Sequence, residues 1–167
     1  MKNKFSIFIF LLFAFNANSA TLEDIGEKGD PNNYDRLVKI SMYDNYFEPN
    51  TIKVKKGETI RFIVTNNGDL VHEYNIGTKQ MHRDHEMEMQ KLIDHEIIVI
   101  DKIDKDKMKK MSKKDHSLAH SHYNSLMLEP NETGELTWKF TKNTVLEIAC
   151  NIPGHYESGM IAKILID

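Results

Sequence analysis

The sequence predicts an all-β protein, an antiparallel β-sandwich interrupted by a His/Met-rich insert that is partly helical or flexible. Three observations carry this. Residues 34–77 and 125–167 consist of short apolar runs punctuated by turn residues. Neither block has a helical period, and about seven strands at such close spacing suit a sandwich. Residues 78–124 differ in composition and hold six of the eight histidines.

In the first block, residues 37–42 and 59–65 read as strands, and Ile52 and Val54 alternate with lysines as a third. Residues 46–50, with Pro49 and Asn50, read as a turn, as do Lys56-Gly57 and Asn66-Asn67-Gly68-Asp69 before a strand over 70–76. In the second block, residues 126–128, 135–140, 145–150 and 160–166 are strand candidates. In the last of them Ala162, Ile164 and Ile166 share one face, and Trp138 is a core candidate. In the insert, Met81, His85 and Met89 recur at helical spacing, so residues 81–93 are expected as a helix. Residues 101–122, rich in Lys and Asp, are expected to be mobile.

Lys2 and Lys4, an uncharged apolar run over 5–15, and Ala17, Ser19 and Ala20 follow the grammar of a secretory signal peptide. The run is too short to span a bilayer. The reading is therefore a signal peptide at 1–19, a flexible N-terminal arm at 20–33, and one domain at 34–167 interrupted by insert 78–124. Beyond residue 19 the chain carries 20 basic and 25 acidic residues, so nucleic acid is not an expected partner. Export predicts the periplasm, with no membrane association after cleavage, and the chain is expected as a monomer.

One cysteine rules out an intramolecular disulfide framework and a four-Cys zinc site. In an exported protein an unpaired thiol is usually buried and inert, joined to another chain, or occupied by a metal. Its neighbourhood reads CNIPGHYESGM, with Cys150, His155 and Met160 each separated by four residues. Turns at Pro153-Gly154 and Ser158-Gly159 let the three converge from one loop between two strands. His72, after the turn in the first block, is a fourth candidate. Thiolate, two imidazoles and a thioether suit copper in both oxidation states. Zinc seldom takes Met, and calcium and magnesium need oxygen ligands.

With these residues in view, the sequence resembles the cupredoxins, the plastocyanin and azurin family, over 34–77 and 125–167. The segment HEYNIGT from His72, the His/Met-rich insert and the ending CNIPGHYESGM most resemble the periplasmic copper-tolerance members, the CopI-like group. The resemblance implies a Greek-key β-sandwich and His72, Cys150, His155 and Met160 as type 1 copper ligands. Many electron-carrying members have Asn after the first His ligand, whereas Glu73 stands here. An ionised carboxylate near the copper would favour Cu(II).

A simple electron carrier does not require the insert. Its thioethers suit Cu(I), and Met81, His85 and Met89 on one helical stripe could form a second, weaker site. His116, His120 and His122 could capture and exchange copper from a flexible segment. The expected function is periplasmic copper tolerance by sequestration, delivery or redox buffering, with a copper-handling or redox protein as partner. The alternative is a soluble blue-copper electron-transfer protein. An enzyme is not expected, because copper enzymes of this kind need further centres or a second such domain.

Overall fold

The computed structural model describes residues 21–167. The expected signal peptide and Ala20 lie outside the described residues. The chain begins with helix α1 (Leu22–Ile25) and strand β1 (Glu27–Lys28), followed by β2 (Arg36–Tyr43), β3 (Tyr46–Glu48), β4 (Thr51–Val54), β5 (Thr59–Asn66) and β6 (His72–Gly77). The insert supplies helix α2 (Lys79–Asp94), the short strands β7 (Ile98–Val99) and β8 (Lys102–Ile103), helix α3 (Lys105–Ser112) and a 3₁₀ turn at His116–Leu118. Strands β9 (Ser125–Leu128), β10 (Thr133–Lys139), β11 (Leu146–Ala149) and β12 (Ile161–Ile166) complete it.

Ten of these strands form two five-stranded sheets, ordered β1-β10-β5-β2-β3 and β4-β12-β11-β6-β9, and β7 pairs with β8 by itself. The alternation seen in the sequence is the reason. In β5, Ile60, Phe62 and Val64 turn inward and are fully buried, while the residues between them stay partly exposed. Phe62 meets Tyr74 of the opposite sheet at a ring separation of 5.5 Å, and Phe47 meets the same tyrosine at 6.2 Å. Trp138 is 1 % exposed, as expected.

Two pairings, β2 with β5 and β4 with β12, are parallel, so the sandwich is mixed rather than wholly antiparallel. Both join strands that are not sequence neighbours, where no short turn dictates direction. Residues 46–48, expected within a turn, form β3, because Phe47 is buried on the core while the chain reverses earlier at Asp44-Asn45.

The expected loose arm is docked from residue 21 onward. Ile25 is fully buried, Trp138 Nε1 donates to its carbonyl at 3.3 Å, and β1 pairs with β10. Two apolar residues are too few to show a period, but they suffice to cover a sheet edge.

Strand β6 is buried along its whole length, because both faces are covered. Tyr74 faces the core, whereas Glu73 and Asn75 face the insert. Helix α2 forms where its periodicity predicts, with Thr78 capping it through a hydrogen bond from the Met81 amide. Residues 101–122, expected to be mobile, are instead folded: α3 is capped by Asp104, Leu118 is buried, and Lys102 and Lys105 pair with Glu129 and Glu132. Pairing with the second block orders a segment whose composition alone reads as solvated.

Candidate metal centre

The turn from β5 to β6 and the loop from β11 to β12 lie at the same end of the sandwich. Strand β11 runs antiparallel to β6 with Ala149 opposite Asn75, so the next residue, Cys150, arrives beside the start of β6. There the Glu73 amide donates to Cys150 Sγ at 3.3 Å. His72 Nδ1 lies 3.8 Å from the same sulfur and His155 Nδ1 lies 3.3 Å from it. The three ligand atoms fall within 4.8 Å of one another, and the two rings are 5.0 Å apart.

The loop is closed by its own backbone. The Cys150 amide donates to the Met160 carbonyl at 3.2 Å, and the Met160 amide donates to the His155 carbonyl at 3.0 Å. Gly159 has φ +94°, a conformation that a side chain would strain. Met160 is fully buried, as are Cys150 and His72, while His155 is partly exposed.

Burial pushes the Cys150 thiol up to about 12. Burial also lowers the pKa values of both imidazoles, His72 against the opposing pull of Asp44. Neutral imidazoles and a desolvated thiol suit a soft or borderline cation, which can replace the thiol proton.

Sequence reasoning missed the support of His72. Its Nε2 lies 3.0 Å from Asp44 Oδ1, so Nδ1 is the nitrogen turned toward the sulfur. The same carboxylate oxygen accepts from the amides of Asp69 and Leu70 at 2.9 and 3.2 Å. Asn66 braces the turn by donating to the Leu70 and Leu128 carbonyls and accepting from the Gly68 amide. An acid 28 residues from His72 has no local signal.

The Glu73 carboxylate is turned away from the sulfur, yet its charge still adds to the rise of the Cys150 thiol. The Glu73 amide faces Cys150, and the side chain points under the insert to His85 and His120. Burial opposes its charge, but those imidazoles hold the carboxyl well below its usual range. Burial likewise opposes charge on His85, yet Glu73 and Glu88 raise it to about 10.

Of the expected methionine stripe, Met81 lines a cleft with His85, Glu88 and His122. Met89 is fully buried in the core, and His85 meets Glu73. His120 and His122 join it, whereas His116 lies in the 3₁₀ turn.

A β-sandwich with one thiol and two imidazoles converging at its end defines a class of small metal-binding domain. Residues 5–105 match the cupredoxin-like domain, and the chain belongs to that family. It is 37 % identical over 145 residues to the copper-resistant cuproprotein CopI of Pseudomonas aeruginosa, covering 78 % of this chain and 76 % of that one. Identity to the CopI of Rubrivivax gelatinosus is 32 % over 142 residues, covering 84 % and 72 %. The fold is similar to auracyanin B, with TM-score 0.59, 16 % identity and 85 % and 96 % of the two chains covered. It is also similar to the dithionite-reduced auracyanin of Roseiflexus castenholzii, with TM-score 0.56, 17 % identity and 79 % and 96 % covered. Among the described residues no helix is long and apolar enough to cross a membrane.

Proposed function

We propose that this chain is a type 1 copper protein of periplasmic copper tolerance, with His72, Cys150, His155 and Met160 as ligands. The observation that carries this is Cys150 Sγ placed 3.3 and 3.8 Å from two imidazole Nδ1 atoms in a buried pocket. The donor chemistry fits, because sulfur with imidazole suits copper, and kinship with copper-resistant cuproproteins supports the same reading. When bound, copper would supply a one-electron redox centre. The protein's own residues desolvate the sulfur, fix His72 through Asp44 and hold His155 at the partly exposed edge.

Titration with Cu(II) tests the centre. An intense visible charge-transfer band, lost in Cys150→Ala, is expected, and a colourless protein overturns it. A strain lacking the chain should become copper-sensitive and be rescued by the exported wild type but not by Cys150→Ala. Rescue by Cys150→Ala would overturn the tolerance role of this centre.

One observation favours a second reading, electron transfer. An apolar groove of about 490 Å³, lined in part by Leu70, Val71, Ile98, Ile100 and Ile152, opens beside His155. Such a surface suits brief docking of a redox partner. If Ile100→Lys slows reduction by that partner without altering copper tolerance, electron transfer is the main role.

A further inference from the structure

The outer face of β6 carries a second cluster that the thiol centre does not use. Helix α2 contributes His85 and Glu88, the segment after the 3₁₀ turn contributes His120 and His122, and β6 contributes Glu73. The ring of His85 lies 5.3 Å from that of His120 and 5.0 Å from that of His122, and the latter two are 5.4 Å apart. His85 Nε2 and His120 Nε2 each stand 2.9 Å from Glu73 Oε1, and the three atoms lie within 4.8 Å of one another. The Glu73 side chain is fully buried, and those of His120 and His85 are 5 % and 11 % exposed.

Three details distinguish this cluster from an ordinary buried ion pair. Glu73 Oε1 is approached by four donors, from His85, His120, Asn75 and Ser125, although one carboxylate oxygen offers only about two acceptor sites. Behind His85, Nδ1 meets Glu88 Oε2 at 3.2 Å, the carboxylate–imidazole arrangement that orients a metal-binding histidine. Glu88 Oε1 also holds His122 Nε2 at 2.9 Å, so one carboxylate fixes two of the three rings. Ligand atoms around a tetrahedral ion with bonds of about 2.0–2.1 Å are separated by about 3.3 Å, so the 2.9 Å pairs need to open only slightly.

We propose that Glu73, His85 and His120 hold a second metal ion, a divalent cation of the Cu(II)/Zn(II) class, with Glu88 positioning His85 and the neighbouring His122. Imidazole nitrogen with carboxylate oxygen and no sulfur selects that class over Cu(I). The site shares no side chain with the thiol centre, so it stands or falls independently of that reading. The two are nonetheless adjacent. Glu73 follows His72, and Asn151, which follows Cys150, donates to Glu73 Oε2 at 2.8 Å.

The test uses the full chain carrying Cys150→Ala, which removes the thiol centre. This protein should bind one equivalent of Cu(II) with only weak visible absorption, and one of Zn(II) in competition with it. X-ray absorption of the Zn(II) form should show nitrogen and oxygen neighbours with imidazole scattering. A sulfur neighbour, or no binding against a weak chelator, would overturn the proposal. Adding His85→Ala and His120→Ala should weaken binding at least 100-fold. Undiminished binding would assign the ion elsewhere and overturn the proposal. Should that variant fail to fold, His122→Ala at the partly exposed edge should weaken binding about tenfold. Glu88→Gln should weaken Cu(II) binding about 10–100-fold and change its paramagnetic hyperfine splitting. An unchanged splitting would remove Glu88 from the positioning role.

Discussion

Asp44 Oδ1 lies 3.0 Å from His72 Nε2, joining a carboxylate at the β2–β3 turn to a fully buried imidazole at the start of β6. The contact fixes the ring with Nδ1 toward Cys150, and it leaves the imidazole more basic as a ligand. Asp44→Ala should weaken Cu(II) binding about 10–100-fold and shift the charge-transfer band, whereas Asp44→Asn should fall between. Equal affinities in the three proteins, measured by chelator competition, would show that the carboxylate does not support the ligand.

Gly68 is set by the same contact. A Cβ there would stand 2.3 Å from Asp44 Oδ1 and 2.9 Å from His72 Nε2. Gly68→Ala should therefore displace the carboxylate and destabilise the metal-free fold by about 1–3 kcal/mol. Denaturant unfolding and the visible spectrum check the two effects, and a variant unchanged in both would contradict the crowding.

Ligands from β6 and from the β11–β12 loop tie separate parts of the second sheet to one point. Metal should thus stabilise the fold, by about 2.7 kcal/mol at a free concentration one hundred times Kd. Equal thermal midpoints for the metal-free and Cu(II)-loaded chain would count against a shared centre.

Docking of residues 21–28 rests on Ile25, whose burial is complete. Ile25→Ala should cost about 2–5 kcal/mol in denaturant unfolding. A change within a few tenths would mean that the segment contributes nothing to the fold.

Arg36 Nε donates to Glu58 Oε1 at 2.8 Å, and the Lys55 amide donates to Glu58 Oε2 at 2.9 Å. Burial would raise the Glu58 carboxyl, but these partners outweigh it and hold the carboxyl below its usual value. A carboxyl depressed in the folded chain stabilises the fold above its unfolded value of about 4.3, and that contribution is lost as the pH falls through the folded value. Glu58→Gln should lower stability by about 0.5–1 kcal/mol at pH 7 and flatten the decline below pH 5. A decline as steep as that of the wild type would assign the acid sensitivity to other carboxylates.

The sequence by itself determined the strands whose apolar residues alternate, the body of helix α2, and the turn-bounded Cys150–Met160 loop, because each is written in neighbouring residues. The convergence of Cys150 with His72 was also legible, through the chemistry of the donor set. Tertiary structure alone decided the parallel pairings of β2 with β5 and β4 with β12, the docking of Ile25, and the ordering of residues 101–122. It also decided that Asp44 would hold His72 and that Glu73 would gather His85 and His120. Those relationships depend on sheet register and on the insert covering both sides of β6's outer residues, and residues 12 to 47 positions apart carry no local mark of meeting.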